Sequence, residues 1–138
     1  MKYAVIDVGS NTVRLCVYDA LCPEKRKFKT IMNRKIMAGL AAYIVDGAFS
    51  DEGIAEAILA VKKCIKRASY LSPDRIDVFA TAVLRNISNS AQAIAAIEQG
   101  AGCTISLLSN ADEAHLGFVG ASSRGTLDDG ALIDIGEI

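Results

Sequence analysis

The residues with the clearest chemical potential lie at positions 7–12, where the sequence reads Asp-Val-Gly-Ser-Asn-Thr. The apolar run before them is typical of a buried strand, and a second apolar run follows the stretch. This pattern predicts a β-hairpin with Gly9, Ser10 and Asn11 at its tip. Such a tip can direct backbone amides and side-chain donors at a phosphate, and Asp7 can hold a hydrated Mg²⁺ beside it. On spacing alone, a plain hairpin turn with a surface carboxylate is the better explanation.

A second stretch near the C-terminus repeats this plan. Residues 130–136 read Gly-Ala-Leu-Ile-Asp-Ile-Gly, which is an apolar strand followed by Asp134, an aliphatic residue and Gly136. Two strand–Asp–x–Gly units in one chain favour two loops that hold one phosphorylated ligand from opposite sides. Arg14, on the strand after the first loop, is expected to pair with Asp134 or another carboxylate rather than with a substrate.

Taken with three further stretches, the two loops resemble the motifs of the exopolyphosphatase and guanosine pentaphosphate phosphohydrolase (Ppx/GppA) family. That family is part of the actin-like, sugar-kinase and heat-shock ATPase superfamily. Residues 7–15 resemble its first phosphate motif, and residues 33–40 resemble the segment after its third strand. Residues 80–86 resemble its Ala-Thr-x-Ala-x-Arg motif, and residues 109–114 resemble its Ser-Gly-x-x-Glu-Ala turn. These stretches occur in family order and together span the whole chain.

Three departures from the family pattern are visible. Val83 and Asn110 stand where the family has Ala and Gly, and both changes are small. The second phosphate motif of the family is similar to Asp-Ile-Gly-Gly-Gly-Ser-Thr-Glu. In this chain Gly136 of the second loop is followed directly by Glu137, so a Gly-Gly-Ser-Thr stretch is missing between them. The family also continues into a second lobe. Residues 1–125 are therefore interpreted as a first actin-like lobe, and residues 126–138 as a linker and the first strand of a truncated second lobe.

The resemblance implies Mg²⁺-dependent removal of a terminal phosphate from inorganic polyphosphate or guanosine pentaphosphate. Glu113 would activate water as the catalytic residue, and Arg85 would clamp the phosphate. The other implied roles are phosphate binding by Gly9, Ser10, Asn11, Thr12 and Gly136, metal binding by Asp7 and Asp134, and a doubtful contribution from Glu137 because the loop is shortened. One wall of the family's cleft is missing, so little or no activity is expected from this chain alone.

Simpler explanations compete for two of these residues. Glu113 lies three residues after Asn110, which is the spacing of a capping box whose glutamate bonds back to the N-cap amide. Arg85 could instead form a surface salt bridge. Without the family resemblance, the sequence favours a salt bridge and a phosphate contact equally. Two other functions also stay open: a sugar-kinase-like or actin-like ATPase, and a non-catalytic module that binds polyphosphate or an alarmone. The loss of a lobe would expose apolar surface, which predicts self-association, in the simplest case as a homodimer.

The amino-acid composition limits the classes of ligand and partner that the chain is expected to bind. The 138 residues suffice for one domain, and a net charge of −1 gives no general attraction to nucleic acid or an anionic membrane. A polyanion would need a local basic patch, which residues 25–29, 34–35 or 62–67 could supply; for the last cluster a solvated helix face is the better explanation. Four dispersed cysteines and one histidine do not form a zinc pattern. Without a leader or a membrane-spanning apolar run, the sequence predicts a cytoplasmic protein.

The elements that must position these residues follow from periodicity. Three strands come first, the third at residues 28–36, and Ser50 then caps a helix. The apolar stripe of that helix is expected to comprise Ile54, Ile58, Val61, Ile65 and Ala68. Later segments are expected as a strand at 75–80, a helix at 90–99 closed by Gly100, a strand at 103–108 and a helix at 110–119. Strands followed by alternating helices and strands predict an α/β fold, here an actin-like (ribonuclease H-like) lobe with a mixed sheet flanked by helices.

Overall fold

The structure, a computed structural model, describes residues 1–25 and 27–122. It is an α/β fold built on one mixed sheet. Along the chain the elements are β1 (Lys2–Val8), β2 (Thr12–Cys22), β3 (Lys27–Met37), β4 (Ile44–Val45), β5 (Ala48–Phe49), α1 (Asp51–Ser69), β6 (Arg75–Ala80), α2 (Ala82–Arg85), α3 (Ser90–Ala101), β7 (Ile105–Leu107) and α4 (Asn110–Ser122), with short 3₁₀ helices at Pro23–Lys25 and Leu40–Tyr43.

The main sheet has five strands in the order β3-β2-β1-β6-β7. β2 pairs antiparallel with both β1 and β3, whereas β6 runs parallel to β1 and β7 runs parallel to β6. The carboxyl ends of β1, β6 and β7 therefore meet at one edge of the sheet, where open α/β sheets bind their ligands. Asp7 lies near the carboxyl end of β1, and the segments that follow β6 and β7 carry Arg85 and Glu113. The topology therefore gathers the residues that the motifs single out.

One face of the sheet forms the core. Ala4, Ile6 and Val8 of β1 are fully buried, while the alternate residues of that strand are only partly covered or exposed. The same alternation continues on β2, where the odd-numbered positions 13, 15 and 17 are fully buried. Since successive strand residues point to opposite faces, the apolar face packs against helices, and the described residues leave the other face, which includes Asp7, open.

The first long helix begins where the sequence predicts. The Ser50 hydroxyl caps α1 by accepting a hydrogen bond from the Gly53 amide at 3.2 Å. The predicted apolar stripe is confirmed at Val61 and Ala68, but small residues of α1 rather than its isoleucines fill the other buried positions. Its buried positions are Gly53, Ala57, Ala60, Val61, Cys64 and Ala68, whereas Ile54, Ile58 and Ile65 are only partly buried.

Gly53 gives the sharpest test of this close packing. A Cβ at Gly53 would lie 2.5 Å from the Tyr43 Cβ and 2.7 Å from the Phe49 Cε2. We therefore expect Gly53→Ala to lower the free energy of unfolding by about 1–3 kcal/mol despite the better helix propensity of Ala. The measurement is urea unfolding followed by circular dichroism.

Gly120→Ala is the matched control, because Gly120 lies on α4 and no atom that the structure describes beyond its own helix backbone and chain neighbours comes within 4 Å of an added Cβ. That change should be neutral or stabilise the chain by up to about 1 kcal/mol. Equal effects of the two substitutions would show that the packing at Gly53 is not as tight as described.

The end of α3 corrects the expectation from sequence. Gly100 does not close the helix, which continues to Ala101 and ends at Gly102 in the left-handed conformation, with φ of 69°. Gly100 instead lies where α3 meets α1: a Cβ on it would come within 2.5 Å of the Ile58 Cδ1. The Gly-Ala-Gly sequence offers two stop positions, and helix packing decides between them. β7 is also shorter, and α4 longer, than the predicted strand at 103–108 and helix at 110–119.

The last described helix is lightly packed. No residue of α4 is buried, and the side chains of Leu116, Phe118 and Val119 are 48%, 49% and 39% exposed. Self-association through such apolar surface stays a prediction. Within residues 1–25 and 27–122, no helix is both long and apolar enough to cross a membrane.

Candidate functional site

The first loop is a hairpin tip held in place by a neighbouring segment. The Gly9 amide donates to the Thr12 carbonyl at 3.0 Å, and a Cβ on Gly9 would lie 3.0 Å from the same oxygen. The carbonyls of Ser10 and Asn11 accept hydrogen bonds from the amides of Ala41 and Gly39, at 2.8 and 2.9 Å. These bonds fix the tip from outside.

The anchoring segment depends on one unusual backbone conformation. Gly39 has φ of 57°, in the left-handed region that favours glycine, and it begins the short 3₁₀ helix Leu40–Tyr43. In the described part of the chain, the amides of Ser10 and Asn11 have no hydrogen-bond acceptor. The tip is therefore a rigid backbone turn with two amides available to an anion. The sequence signal for this anchor was the Ala-Gly-Leu stretch at 38–40.

Arg85 lies at the end of α2, directly after β6. Its Nη1 donates to the Leu108 carbonyl at 2.7 Å and to Glu113 Oε2 at 3.0 Å. The side chain is 18% exposed. Its Nε is buried and has no hydrogen-bond partner among the described residues. An unpaired buried N–H of this kind is costly, and an anion is the natural partner of a guanidinium.

The N-terminus of α4 is capped without any contribution from Glu113. Ser109 is the residue that caps this helix: its hydroxyl accepts from the Asp112 amide at 3.1 Å and donates to Asp112 Oδ2 at 2.8 Å. The capping box considered for Asn110 and Glu113 is therefore wrong by one residue. The Glu113 carboxylate instead accepts from Arg85, so the ion pair considered for Arg85 exists and joins two candidate site residues.

Asp7 belongs to the same electrostatic cluster. It is the penultimate residue of β1, on the face of the sheet opposite the core, and is paired with Arg14 of β2. Partial loss of hydration raises the pKa of Asp7, the negative charge of Glu113 raises that pKa further, and the charge of Arg14 opposes both. Asp7 nevertheless keeps contact with solvent. A cation or a bound ligand that neutralises this charge would therefore favour the ionised form of Asp7.

This raised pKa predicts a pH-dependent cost to stability. Since the folded state holds the Asp7 proton more tightly than the unfolded state, the cost appears as pH rises above the ordinary aspartate range and is absent below it. We expect Asp7→Asn to raise the free energy of unfolding at neutral pH by about 0.5 kcal/mol, a small figure because solvent screens the site. Urea unfolding at pH 7 and pH 3 measures this, and a gain that persists unchanged at pH 3 would contradict it.

The family assignment rests on a match over most of the chain. The model of the Ppx/GppA phosphatase family matches residues 23–136. The chain belongs to the Ppx/GppA phosphatase family. The resemblance found in the motifs is thus confirmed.

Solved structures confirm the fold of this Ppx/GppA chain. A family member from Aquifex aeolicus superposes with a TM-score of 0.78 at 21% identity, covering 89% of this chain and 40% of that chain. An exopolyphosphatase from Cytophaga hutchinsonii superposes with a TM-score of 0.75 at 25% identity, covering 84% and 36%. The ethanolamine utilization protein EutJ from Carboxydothermus hydrogenoformans gives 0.52 at 17% identity, covering 86% and 40%. The actin-like lobe is confirmed, and the chain spans about two fifths of each relative's length.

The structure thus brings together one half of the predicted site. The tip at 9–11, Arg85, Glu113 and Asp7 surround the same sheet edge, while Thr12 begins β2 opposite Met37. Asp134, Gly136 and Glu137 lie outside the described residues. Within the described part, no group of three His, Cys, Asp or Glu side chains could hold a metal ion. The Leu108 carbonyl, which positions Arg85, had no signal in the sequence, because a backbone acceptor carries no residue-type signature.

Proposed function

We propose that this chain forms one wall of a phosphoanhydride hydrolase site that removes terminal phosphates from inorganic polyphosphate or guanosine pentaphosphate. The observation that carries the proposal is the contact of Arg85 with Glu113 beside the fixed tip of the first loop. The tip amides and the buried Arg85 Nε offer donors for phosphate oxygens, and Glu113 offers a carboxylate that can take a proton from water.

Arg85 is already positioned before a substrate arrives. Two acceptors on the β7–α4 turn hold its Nη1, which leaves Nε and the second terminal nitrogen for a phosphate. The same contact sets the carboxylate of Glu113 at the side of the guanidinium. A phosphate held by Arg85 would therefore lie next to the proposed base, which is the arrangement that in-line attack by water requires.

We further propose that a divalent cation, Mg²⁺ by its chemistry, takes part. Asp7 fits this role, because its ionised form is disfavoured by partial loss of hydration and by the charge of Glu113, and a cation beside it would offset both effects. Magnesium sites at phosphates often use only one or two protein carboxylates and retain water ligands. Asp7 would hold the ion, with Asp134 as a second ligand. The ion would supply charge neutralisation on the phosphate oxygens.

Phosphate release tests this proposal in a chimera in which residues 1–134 of this chain replace the matching part of the Cytophaga hutchinsonii exopolyphosphatase. The rest of that relative then supplies the second wall. We expect Mg²⁺-dependent phosphate release from polyphosphate or guanosine pentaphosphate by the chimera, and little or none from the 138-residue chain alone. Strict dependence on ATP would favour the sugar-kinase-like or actin-like ATPase instead. Turnover by the isolated chain at the chimera's rate would contradict the expectation that one wall is insufficient.

A non-catalytic binding module is the second candidate. The free amides and the buried Arg85 Nε are sufficient to bind an anion without turnover. A folded chimera that binds polyphosphate, releases no phosphate and is unaffected by Glu113→Gln would favour this function. For either function we propose a cytoplasmic location, because free cysteines at positions 16, 22, 64 and 103 suit a reducing compartment.

A further inference from the structure

Two cations lie in line with the candidate site across the open face of the sheet. Asp7 of β1 is directly opposite Arg14 of β2, and Arg14 is directly opposite Lys35 of β3. Directly opposite residues of antiparallel strands share a face, so Arg14 and Lys35, here called the basic row, lie on the face that carries Asp7. Strand spacing places their backbones about 5 and 10 Å from that of Asp7.

Among the described residues, neither member of the basic row has a partner, and Asp134, which the sequence suggested for Arg14, lies outside them. Arg14 is partly exposed and Lys35 is exposed. Neither side chain forms an ion pair or a hydrogen bond within residues 1–25 and 27–122. The influence of Arg14 on Asp7 is purely long-range, since no contact joins the two side chains within 4 Å. Two unpaired cations thus adjoin a site that offers further donors to an anion.

We propose that the basic row is a second phosphate subsite, which binds the following phosphates of a linear polyphosphate whose terminal phosphate lies at Arg85 and the first loop. This inference rests on the proposed function and adds residues to it. Pyrophosphate would contact only the site formed by Arg85 and the first loop. A longer polyphosphate that extends along the row would also contact Arg14 and then Lys35. The subsite is therefore a determinant of affinity for chain length.

The surroundings of the row favour polyphosphate over single-stranded nucleic acid. Strong binding of single strands uses aromatic side chains on which the bases stack. Besides Asp7, the described residues directly beside the row on this face are Thr12, Cys16, Asn33 and Met37, none of which is aromatic. Phe79 of β6 lies on the same face, but next to Asp7 and two strands away from Arg14. A row of charges without a stacking surface recognises a backbone of phosphates but not bases.

Another role for Lys35 must be separated from this one. β3 is the outermost strand of the sheet, and lysines on such strands prevent pairing with other chains. That role predicts aggregation after substitution, without a change in ligand affinity. Lys29 provides the matched control: it is an exposed lysine of the same strand, lies opposite Asp19 and is six positions farther from the site.

The test is titration calorimetry of the 138-residue chain with long-chain polyphosphate and with pyrophosphate at low ionic strength. We expect Lys35→Glu to weaken binding of long-chain polyphosphate about tenfold and binding of pyrophosphate much less, whereas Lys29→Glu changes both less than about twofold. Lys35→Arg should retain the affinity of the original chain. Thermal melting and light scattering show whether each variant stays folded and monodisperse.

Several results would overturn the subsite. Equal losses for Lys35→Glu and Lys29→Glu would reveal only a general effect of net charge. No measurable binding of long-chain polyphosphate, or equally tight binding of an oligothymidylate of similar charge, would also exclude it. These results leave the proposed hydrolase standing, because binding is measured without turnover. A chimera that releases no phosphate would remove the hydrolase and leave the binding result intact.

Discussion

Glu113→Gln is expected to lower the rate of phosphate release by the chimera by about 10²–10⁴-fold. The amide of Gln can still accept a hydrogen bond from Arg85, so the positions of Arg85 and the β7–α4 turn should be kept. What is lost is the carboxylate that takes a proton from the attacking water. Initial rates over a range of polyphosphate concentrations measure the effect, which should appear in kcat with little change in KM.

Asp112→Asn is the matched control for this substitution. Asp112 lies next to Glu113 on the same helix turn and is exposed. Its carboxylate accepts a hydrogen bond from the Ser109 hydroxyl and from no other side chain in the described part of the chain. The charge change is identical, so a general electrostatic effect would appear in both variants. We expect Asp112→Asn to lose about 1 kcal/mol of stability at most and to keep its rate within a few fold. If Glu113→Gln kept its rate as well, Glu113 would not be the base.

Arg85→Lys is expected to weaken binding of orthophosphate to the 138-residue chain about tenfold to a hundredfold. A lysine has three N–H donors on one nitrogen, so bonds to the Leu108 carbonyl and to Glu113 would leave it a single donor for phosphate. Arginine keeps its Nε and its second terminal nitrogen for that purpose. The charge is kept, and any loss therefore reports the geometry of the guanidinium. Titration calorimetry measures the affinity.

Arg75→Lys serves as the control for the guanidinium. Arg75 begins β6 at the opposite end of the strand from the site, and its guanidinium pairs with Asp77 at 2.9 Å on the surface. This change should leave phosphate affinity within about twofold, because an exposed pair contributes little. Similar losses in the two variants would mean that Arg85 does not form the phosphate site.

Local patterns were sufficient to predict much of this fold. The hairpin tip at 9–11 and the strand at 75–80 follow from apolar runs bounded by small polar residues, and Ser50 caps its helix because its hydroxyl reaches the amide three residues on. Gly100 shows where such patterns fail. Its role is decided by Ile58 of another helix, and residue type alone did not separate a packing glycine from the helix-ending glycine two positions later.

The site shows the same division between local and tertiary information. The motifs predicted Arg85 and Glu113 as separate candidates, but the bond between them joins residues 28 positions apart and depends on the parallel pairing of β6 with β7. The cap on α4 was misplaced by one residue because Ser109 and Asn110 are both good N-caps. Only the course of the turn determines which of the two takes the position.

We propose that the first loop and Arg85 form a single phosphate site. The most direct test is a titration of the ¹⁵N-labelled 138-residue chain with orthophosphate, followed by heteronuclear NMR. We expect the backbone amide signals of Ser10 and Asn11 and the Nε–H signal of Arg85 to shift together along one binding curve. Shifts of Arg85 without the loop, or separate curves for the two, would contradict it.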